Sequence, residues 1–393
     1  MCDSPSVSPS ATPTPCVLDF RFPENEEAWT FTNDRPPFNQ VEGEYNPART
    51  GSLDIITLSN ENSFAFWESP LIGTGADSGL QVCAGTGGPL GPNTLYRATW
   101  TVFSDQSDSS VMPVFRVRSS SQDFQRSDVL VSTPVSDASF SPWTTPRDYT
   151  HYFMQPAGQD KFRLDIDVLS FEPTEASNVR TSLDRVTVDA IAPIDEEVGT
   201  NLRTYDFLND RTANWTVRPD QPIIQLPGVF NDENGLLIRG VSPPQLLRDD
   251  KNVPIEILFG YWGSDTNITF ESDKLYRLRW SVSSDATALN RAALPTFRFR
   301  TNDSSLMLST LVNIDSANGN SRVPFDGAVE SYDMWLVAPA EVVGNTMILS
   351  FDYLYVNKAP TGSLDIDDPM LGITLTALEI TSFPISAAQT VTK

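Results

Sequence analysis

Four tryptophans are the residues of this sequence best suited to hold a flat ligand. Trp67 in FAFWES and Trp262 in FGYWGS occupy matching places in two distant segments, whereas Trp143 and Trp335 do not match each other. An exposed indole ring can stack on a sugar ring while polar neighbours fix its orientation. Recurrence is also expected of core residues, and the loop-like SPWTTPRDY around Trp143 favours exposure. We therefore predict that Trp67, Trp262, Trp143 and Trp335 are exposed and bind the ligand.

Side chains for acid–base or metal catalysis are scarce. The chain has one histidine, His151, which aligns with Met334, and it has no G-x-S-x-G, H-E-x-x-H or P-loop pattern. Metal sites built on His and Cys are excluded for the same reason. Two carboxylates could still hydrolyse a glycosidic bond, but two copies of one unit favour binding over catalysis. We expect no enzyme activity.

The N-terminal segment carries two of the three cysteines. Residues 1–16 are mostly Ser, Pro and Thr, a composition that predicts a disordered tether. If Met1 was added for expression, Cys2 and the linker after it resemble the mature start of a bacterial lipoprotein, whose cysteine carries the lipid. Cys16 and Cys83 would then be left to form a disulfide in an oxidising compartment. A Cys2–Cys16 disulfide and three free thiols are the alternatives.

The composition is that of an acidic globular chain. The 393 residues carry a formal charge of -24, which repels phosphate backbones and argues against a nucleic-acid partner. Apolar residues make up 39%, enough to build a core, while 30 Pro and 21 Gly interrupt the chain too often for long helices. No run approaches about 18 apolar residues, so we expect membrane contact only through a lipid anchor.

The elements that must position these residues occur twice. LYRATWTVFSD at 95–105 returns as LYRLRWSVSSD at 275–285, and other landmarks keep their order. The matched landmarks are LDF at 18–20 with YDF at 205–207, PVFRVRS with PTFRFRT, Tyr152 with Trp335, and SLDRV at 182–186 with SLDID at 363–367. A duplicated unit of about 180 residues is a foldable domain. We predict a tether (1–16), a first repeat (17–192), a linker (193–202), a second repeat (203–378) and a tail (379–393).

Period-2 alternation within the landmarks predicts strands. Trp100 and Trp280 fall on an apolar face, and the FRVR and FRFR strands alternate inward apolar residues with outward Arg116, Arg118, Arg298 and Arg300. We expect these arginines to pair with acidic neighbours at the surface. About nine short strands per unit, without sustained helical periodicity, predict an all-β fold of two tandem antiparallel β-sandwich (jelly-roll) domains.

The order of the landmarks resembles a known family. An opening xDF strand followed by a Trp, a central LYRxxW strand, an FRxR strand and a closing SLDxV strand are similar to carbohydrate-binding modules of families 4 and 9 and to galactose-binding-domain-like jelly rolls. The resemblance covers residues 17–192 and 203–378. It implies a β-sandwich that binds carbohydrate, although such sandwiches also serve as adhesins, enzyme accessory modules and structural spacers.

The same resemblance implies a structural Ca²⁺ ion between the opening and closing strands of each unit, since carboxylates from two strands suit this cation. The family often has a Glu after the Phe of the opening strand, where this chain has Arg21 and Leu208. The carboxylates at the matching positions are Asp19 and Asp184 in the first repeat, and Asp206 and Asp365 with nearby Asp367 in the second.

These observations favour a secreted or surface-tethered, non-enzymatic protein that binds a polysaccharide or another glycan. Two modules on a short linker would gain affinity if both engaged one polymer. The alternative is a structural or adhesive surface protein that contacts other surface proteins and has no sugar site.

Overall fold

A computed structural model describes most of the predicted strands and a smaller part of the connections. The described residues are 16–22, 24, 28–33, 41–49, 51–57, 65–73, 80–81, 94–104, 111–119, 124–131, 145–154, 161–170, 179–209, 215–218, 228–231, 235–240, 261–284, 293–301, 307–314, 329–340, 342–355 and 371–391.

The first copy of the repeat forms strands β1 to β13. Their bounds are β1 Val17–Arg21, β2 Thr30–Asn33, β3 Val41–Asn46, β4 Ser52–Thr57, β5 Ala65–Glu68, β6 Ile72–Gly73, β7 Leu80–Gln81, β8 Leu95–Ser104, β9 Val111–Ser119, β10 Phe124–Val131, β11 Arg147–Met154, β12 Lys161–Ser170 and β13 Val179–Ile191.

The second copy forms strands β14 to β24. Their bounds are β14 Thr200–Asp206, β15 Trp215–Arg218, β16 Gly228–Asn231, β17 Gly235–Gly240, β18 Tyr261–Thr269, β19 Lys274–Ser284, β20 Ala293–Thr301, β21 Met307–Ile314, β22 Glu330–Val337, β23 Thr346–Tyr355 and β24 Leu371–Pro384.

The strands form two 12-stranded sheets, each built from both copies. Sheet one has the order β16-β17-β24-β19-β22-β11-β8-β13-β4-β3, with β1 beside β13 and β14 beside β24. Sheet two has the order β15-β18-β23-β20-β21-β10-β9-β12-β5-β2, with β6 beside β12 and β7 beside β6. The helical elements of the described residues are single 3-10 turns at Pro47–Arg49, Glu196–Val198 and Ile385–Ala387. The predicted all-β fold of tandem antiparallel sandwiches is confirmed.

None of the helices in the described ranges has the length and apolarity needed to cross a membrane.

The two copies join edge to edge at two strand pairs, β11–β22 in sheet one and β10–β21 in sheet two, which we call the seam. Both pairs are antiparallel and join equivalent strands. Asp128 of β10 pairs with Thr310 of β21, and these residues are themselves equivalent because they lie opposite Phe115 and Phe297. A two-fold rotation perpendicular to the sheets therefore relates the copies.

Equivalent aromatic residues join the two sheets within each copy. As predicted, Trp100 and Trp280 lie in the core, at 0% and 2% exposure. Trp100 packs on Phe115 of sheet two with 4.9 Å between ring centroids, and Trp280 packs on Phe297 at 4.5 Å. The core is thus built on the same pairs in both copies.

The arginines of β9 and β20 do not lie at the open surface that the alternation predicts. They are on the face of the strand opposite Phe115 and Phe297, but Arg118, Arg298 and Arg300 are buried. Arg118 Nε is 2.5 Å from an oxygen of the fully buried Asp165, and its guanidinium lies 4.3 Å from the centre of the Phe66 ring. On the outer face of sheet two, these three arginines are therefore buried rather than open to solvent.

The opening motifs of the two copies are offset by two residues from the match between LDF and YDF. Phe20 lies opposite Val186, which pairs with Trp100, and Tyr205 lies opposite Leu378, which pairs with Trp280. Phe20 and Tyr205 are thus equivalent, and the equivalent of Asp206 is Arg21 rather than Asp19. Apolar residues at alternating positions fit the motif in either register, which is why the sequence match was wrong.

The closing strand of the second copy is β24, which follows SLDID rather than containing it. β24 pairs with β19 as β13 pairs with β8, so SLDID is not the counterpart of SLDRV. Residues 363–367 lie outside the described part of the chain. β24 also continues past the predicted boundary at residue 378 to Pro384, because Ile380 and Phe383 are buried.

The segments that follow β13 and β24 cross the seam in opposite directions. In the predicted linker, residues 193–202, the 3-10 turn brings Glu196 to Arg277 and Arg279 of the second copy. After β24, the chain returns to the first copy, where Val391 exchanges backbone hydrogen bonds with Cys16 and Ala190. Beneath these segments lies a second apolar cluster, which we call the seam cluster: Leu95, Tyr152, Ile191, Leu275, Trp335, Phe383 and Ala388.

Candidate functional site

A cleft of about 460 Å³ opens where β11 begins, at one end of the seam. The described residues that line it are Arg147, Asp148 and Tyr149 of the first copy and Ala340 of the second. His151 lies opposite Leu336, and antiparallel counting from that pair places Arg147 across from Ala340. The cleft therefore needs both copies and the seam between them.

Asp148 gives the cleft an exposed hydrogen-bond acceptor. Its Oδ1 atom accepts a hydrogen bond of 2.6 Å from the Thr101 hydroxyl on β8, which holds the carboxylate in place. Within the described residues its Oδ2 atom takes part in no hydrogen bond, so it can accept one from a ligand. The nearby Arg185 guanidinium attracts this carboxylate and is itself bound to Asp19.

Arg147 and Tyr149 complete the polar and aromatic character of the cleft. Arg147 is half-buried, and its guanidinium carries hydrogen-bond donors only. Tyr149 is almost fully buried, with its ring 5.4 Å from Phe115 of the sandwich core. Packing against the core thus fixes the position of Tyr149. Arg147 and Asp148 precede it in the same strand, β11, which fixes their backbone.

Trp67 and Trp262 occupy equivalent positions, as the sequence indicates. Trp67 lies opposite Ile166 and Trp262 opposite Phe351, residues that pair with Phe115 and Phe297. Trp67 is only 8% exposed, and its indole N–H donates to the backbone carbonyl of Asp54 in the facing sheet at 2.9 Å. Its ring therefore joins the sheets and offers no face to a ligand; the Trp262 side chain lies outside the described part.

Trp335 is also buried, at 5% exposure, which contradicts the predicted solvent-facing ring. It belongs to the seam cluster, where its centroid lies 5.2 Å from that of Phe383 and the Arg277 guanidinium covers it at 4.8 Å. Its equivalent is Tyr152, because the two residues lie opposite Arg277 and Arg97. Trp143 lies outside the described residues.

The predicted calcium ligands Asp19 and Asp206 have other partners. Arg185 and Arg21 both bind Asp19, and the hydrogen bond from Arg185 is the main reason that the pKa of this carboxyl is lowered. Asp206 accepts hydrogen bonds from the Asn209 side chain and from two backbone N–H groups, which also lower its pKa. The first carboxylate is neutralised by arginines and the second closes a turn, so neither fits a cation site.

Of the remaining predicted ligands, only Asp184 lies in the described part of the chain. Asp184 is partly buried at a bulge in β13, and Thr376 falls in the corresponding bulge of β24. Asp365 and Asp367 lie outside the described residues. Within the described ranges, no three His, Cys, Asp or Glu side chains are grouped so that they could hold a metal ion.

Of the three cysteines, Cys16 is fully buried and takes part in a disulfide. Cys2 and Cys83 lie outside the described residues, so the predicted pairing of Cys16 with Cys83 and the lipid on Cys2 stay predictions.

Sequence analysis missed Arg147, Asp148 and the junction that forms the cleft. The signal available was the loop-like SPWTTPRDY, which was noted for Trp143 but continues through both charged residues. Nothing in the sequence indicates that Ala340 of the other copy lies beside them.

Comparison with known proteins identifies no family for this chain. No protein-family model matches the chain. No curated protein matches it.

Similar solved structures include the tandem CBM22-1–CBM22-2 domains of Xyn10C from Paenibacillus barcinonensis, at 13% identity and a TM-score of 0.28, covering 95% of this chain and 98% of that one. The ANX2 ectodomain from Arabidopsis thaliana matches at 9% identity and a TM-score of 0.22, covering 89% of each chain. The structure of Clostridium perfringens ZmpB with its CBM51-1 and CBM51-2 domains matches at 10% identity and a TM-score of 0.20, covering 89% of this chain and 37% of that one. At these TM-scores the likenesses carry no argument about function.

Proposed function

We propose that this protein is a non-enzymatic carbohydrate-binding protein and that its glycan binds in the cleft at the start of β11. The observation that carries the proposal is the presence of an exposed carboxylate and a guanidinium on consecutive residues beside a tyrosine in that cleft. Sugar hydroxyls both donate and accept hydrogen bonds, so the Asp148 acceptor and the Arg147 donor can each bind a hydroxyl of a glycan in this cleft.

The proposed ligand is a neutral oligosaccharide or polysaccharide. The formal charge of -24 repels acidic polymers over long range. In the cleft itself, Arg147 and Asp148 offset each other's charge. A ligand that offers hydroxyl groups without a net charge is the class that avoids repulsion and uses both side chains.

The proposed setting is extracellular or at the cell surface. Support comes from the disulfide at Cys16, since disulfides persist in oxidising compartments. A lipid on Cys2 is part of the same proposal, and mass spectrometry of protein from its native host tests it. Calcium is proposed only for Asp365 and Asp367; an unchanged melting temperature in chelator would remove it.

The function is tested with a glycan array that carries neutral and acidic polysaccharides. We expect binding to a related set of neutral glycans. Asp148→Ala should weaken it about 10- to 100-fold, because a hydrogen bond to a charged group contributes about 1.5–3 kcal/mol. Trp143 precedes Arg147 by four residues and so lies within about 14 Å of it along the chain. Trp143→Ala therefore tests whether this tryptophan adds to the site.

Matched controls separate binding from folding. Ser331→Ala changes the equivalent position of the second copy, and binding should remain within about twofold of the original. Near-UV circular dichroism must show each variant folded. A blank array for the original protein would overturn the proposal and leave a structural or adhesive surface protein as the function to test.

A further inference from the structure

We infer that each chain binds one glycan, in the cleft formed with the first copy, and that the second copy provides no equivalent site. This inference rests on the proposed function. It replaces the expectation that two modules contribute alike.

Strand register identifies the residues to compare. Tyr149 lies opposite Trp100, and Tyr332 lies opposite Trp280, so the two tyrosines are equivalent. The preceding residues are equivalent too: Asp148 corresponds to Ser331, lying opposite Thr101 and Ser281 respectively. By the same register, Arg147 corresponds to Glu330.

The second copy keeps the tyrosine and replaces both charged residues. One carboxylate oxygen of Asp148 accepts a hydrogen bond from the Thr101 hydroxyl, and the other can accept one from a ligand. Ser331 has a single hydroxyl, which lies 2.9 Å from the Ser281 hydroxyl. The exchange of Arg147 for Glu330 replaces a donor by an acceptor and adds negative charge to a chain that already carries -24. At these equivalent positions, the donor and the acceptor proposed to bind sugar hydroxyls are therefore present in the first copy alone.

The two-fold relation removes the advantage of a second site on the same polymer. A polysaccharide has a direction, and a two-fold axis perpendicular to the sheets reverses direction between the copies. A straight chain bound in one copy would thus meet the other copy in the wrong orientation. Continuous sheets and the contacts of Glu196 hold the copies in this arrangement, so reorientation on a flexible linker cannot supply avidity.

Stoichiometry distinguishes the alternatives. The full chain is titrated by calorimetry with cellohexaose, laminarihexaose and mannohexaose, three neutral hexasaccharides, of which those that bind on the array are informative. We expect one binding site per chain. The double variant Arg147→Glu with Asp148→Ser, which installs the side chains of the second copy, should abolish the heat of binding while the protein stays folded.

The matched control is the double variant Glu330→Ala with Ser331→Ala, which should keep one site and an affinity within about twofold. Two sites per chain, or half of the sites retained in the Arg147→Glu, Asp148→Ser variant, would overturn the inference and leave the proposed function standing. A blank array together with no heat from any hexasaccharide would overturn the proposed function itself.

Discussion

In the first copy, Arg118 contacts Asp165 on the outer face of sheet two, and Arg163 contacts Glu68 beside it. In the second copy, strand register places Ser350 where the first has Asp165, Ile348 where it has Arg163, and Gly263 where it has Glu68. The central strand pairs and the inner aromatic pairs are equivalent in the two copies. The inner face therefore determines the fold, and the outer faces and strand ends carry the differences from which function is inferred.

One pair of residues outside the aromatic core is shared in full. Ser69 and Ser264 occupy equivalent places after the β5 strand and within β18, and their hydroxyls accept hydrogen bonds from the N–H groups of Leu164 and Leu349. Each serine replaces a backbone partner where the ladder is interrupted. Both copies therefore keep a hydroxyl at this place, in contrast to the charged pairs around it.

The largest loss of stability is expected from substituting the buried tryptophans that the two copies share, Trp100 and Trp280. Trp100→Ala and Trp280→Ala should each lower the free energy of unfolding by about 3–5 kcal/mol, since each removes a fully buried indole. Because both sheets continue across the seam, we expect urea denaturation of either variant to show one cooperative transition. Two separate transitions, with only one displaced, would show that the copies unfold independently.

The next largest loss of stability is expected on the outer face of sheet two, where the first copy has Asp165 and the second has Ser350. Asp165→Ala should cost about 3 kcal/mol, because it removes the carboxylate that contacts buried Arg118. Ser350→Ala, at the equivalent position, should cost less, about 1.5 kcal/mol, because it removes no charge and takes away one hydrogen bond that the Ser350 hydroxyl accepts from the Arg300 guanidinium. Both values come from the shift of the urea midpoint. Equal losses of unfolding free energy would mean that the Asp165 carboxylate stabilises the first copy no more than the Ser350 hydroxyl stabilises the second.

The sequence predicted the parts of the fold that depend on alternation. The apolar faces around Trp100 and Trp280 and the match of Trp67 with Trp262 follow from period 2 and from the order of landmarks. The same alternation gave a wrong prediction of surface exposure for Arg298 and Arg300. A charged residue between apolar ones produces the same sequence pattern whether its face of the sheet is open to solvent or covered. The buried ring of Trp67 shows the converse, since a recurring tryptophan fits a core as well as a binding face.

The candidate site could not be predicted because it depends on a contact between the copies. β11 (RDYTHYFM) and β22 (ESYDMWLV) have no feature that marks them as partners rather than as edge strands. Without that pairing, Ala340 and Arg147 are almost two hundred residues apart, and the cleft does not exist. The gain in affinity expected of two modules on a short linker stays a prediction, and it did not include the continuous sheets that join the copies.

A smaller loss of stability is expected around Arg97 and Arg277, which are equivalent residues that bind different segments of the chain. In the first copy, Arg97 binds Asp189 at 2.5 Å and also donates to Thr390 of the C-terminal segment. Asp189→Ala should cost about 2 kcal/mol, since it removes charge-assisted hydrogen bonds at a mostly buried pair. Thr390→Ala should cost about 0.5–1 kcal/mol in the same urea titration. A larger loss for Thr390→Ala would mean that the segment, rather than the carboxylate, anchors Arg97.

The smallest effect concerns the linker, which the second copy holds through Arg277. Hydrogen bonding to Arg277 lowers the pKa of the Glu196 carboxyl below its ordinary range. Stabilisation from a carboxyl of lowered pKa is complete above the unfolded-state pKa and is lost as the pH falls through the folded-state pKa. Glu196→Gln should therefore reduce the free energy of unfolding at neutral pH by at most about 0.5–1 kcal/mol, because the side chain is mostly exposed and screened.

The pH dependence of this difference is the sharper measurement. Urea titrations of the original protein and of Glu196→Gln should differ at neutral pH and converge only as the pH falls through the lowered folded-state pKa of Glu196, below which the carboxyl is protonated in both states. Salt at about 1 M should shrink the difference as well, because screening weakens an exposed pair. A difference that stays constant with pH and salt would mean that Glu196 acts through packing of the 3-10 turn. The electrostatic attachment that holds the linker to the second copy would then have to be sought elsewhere.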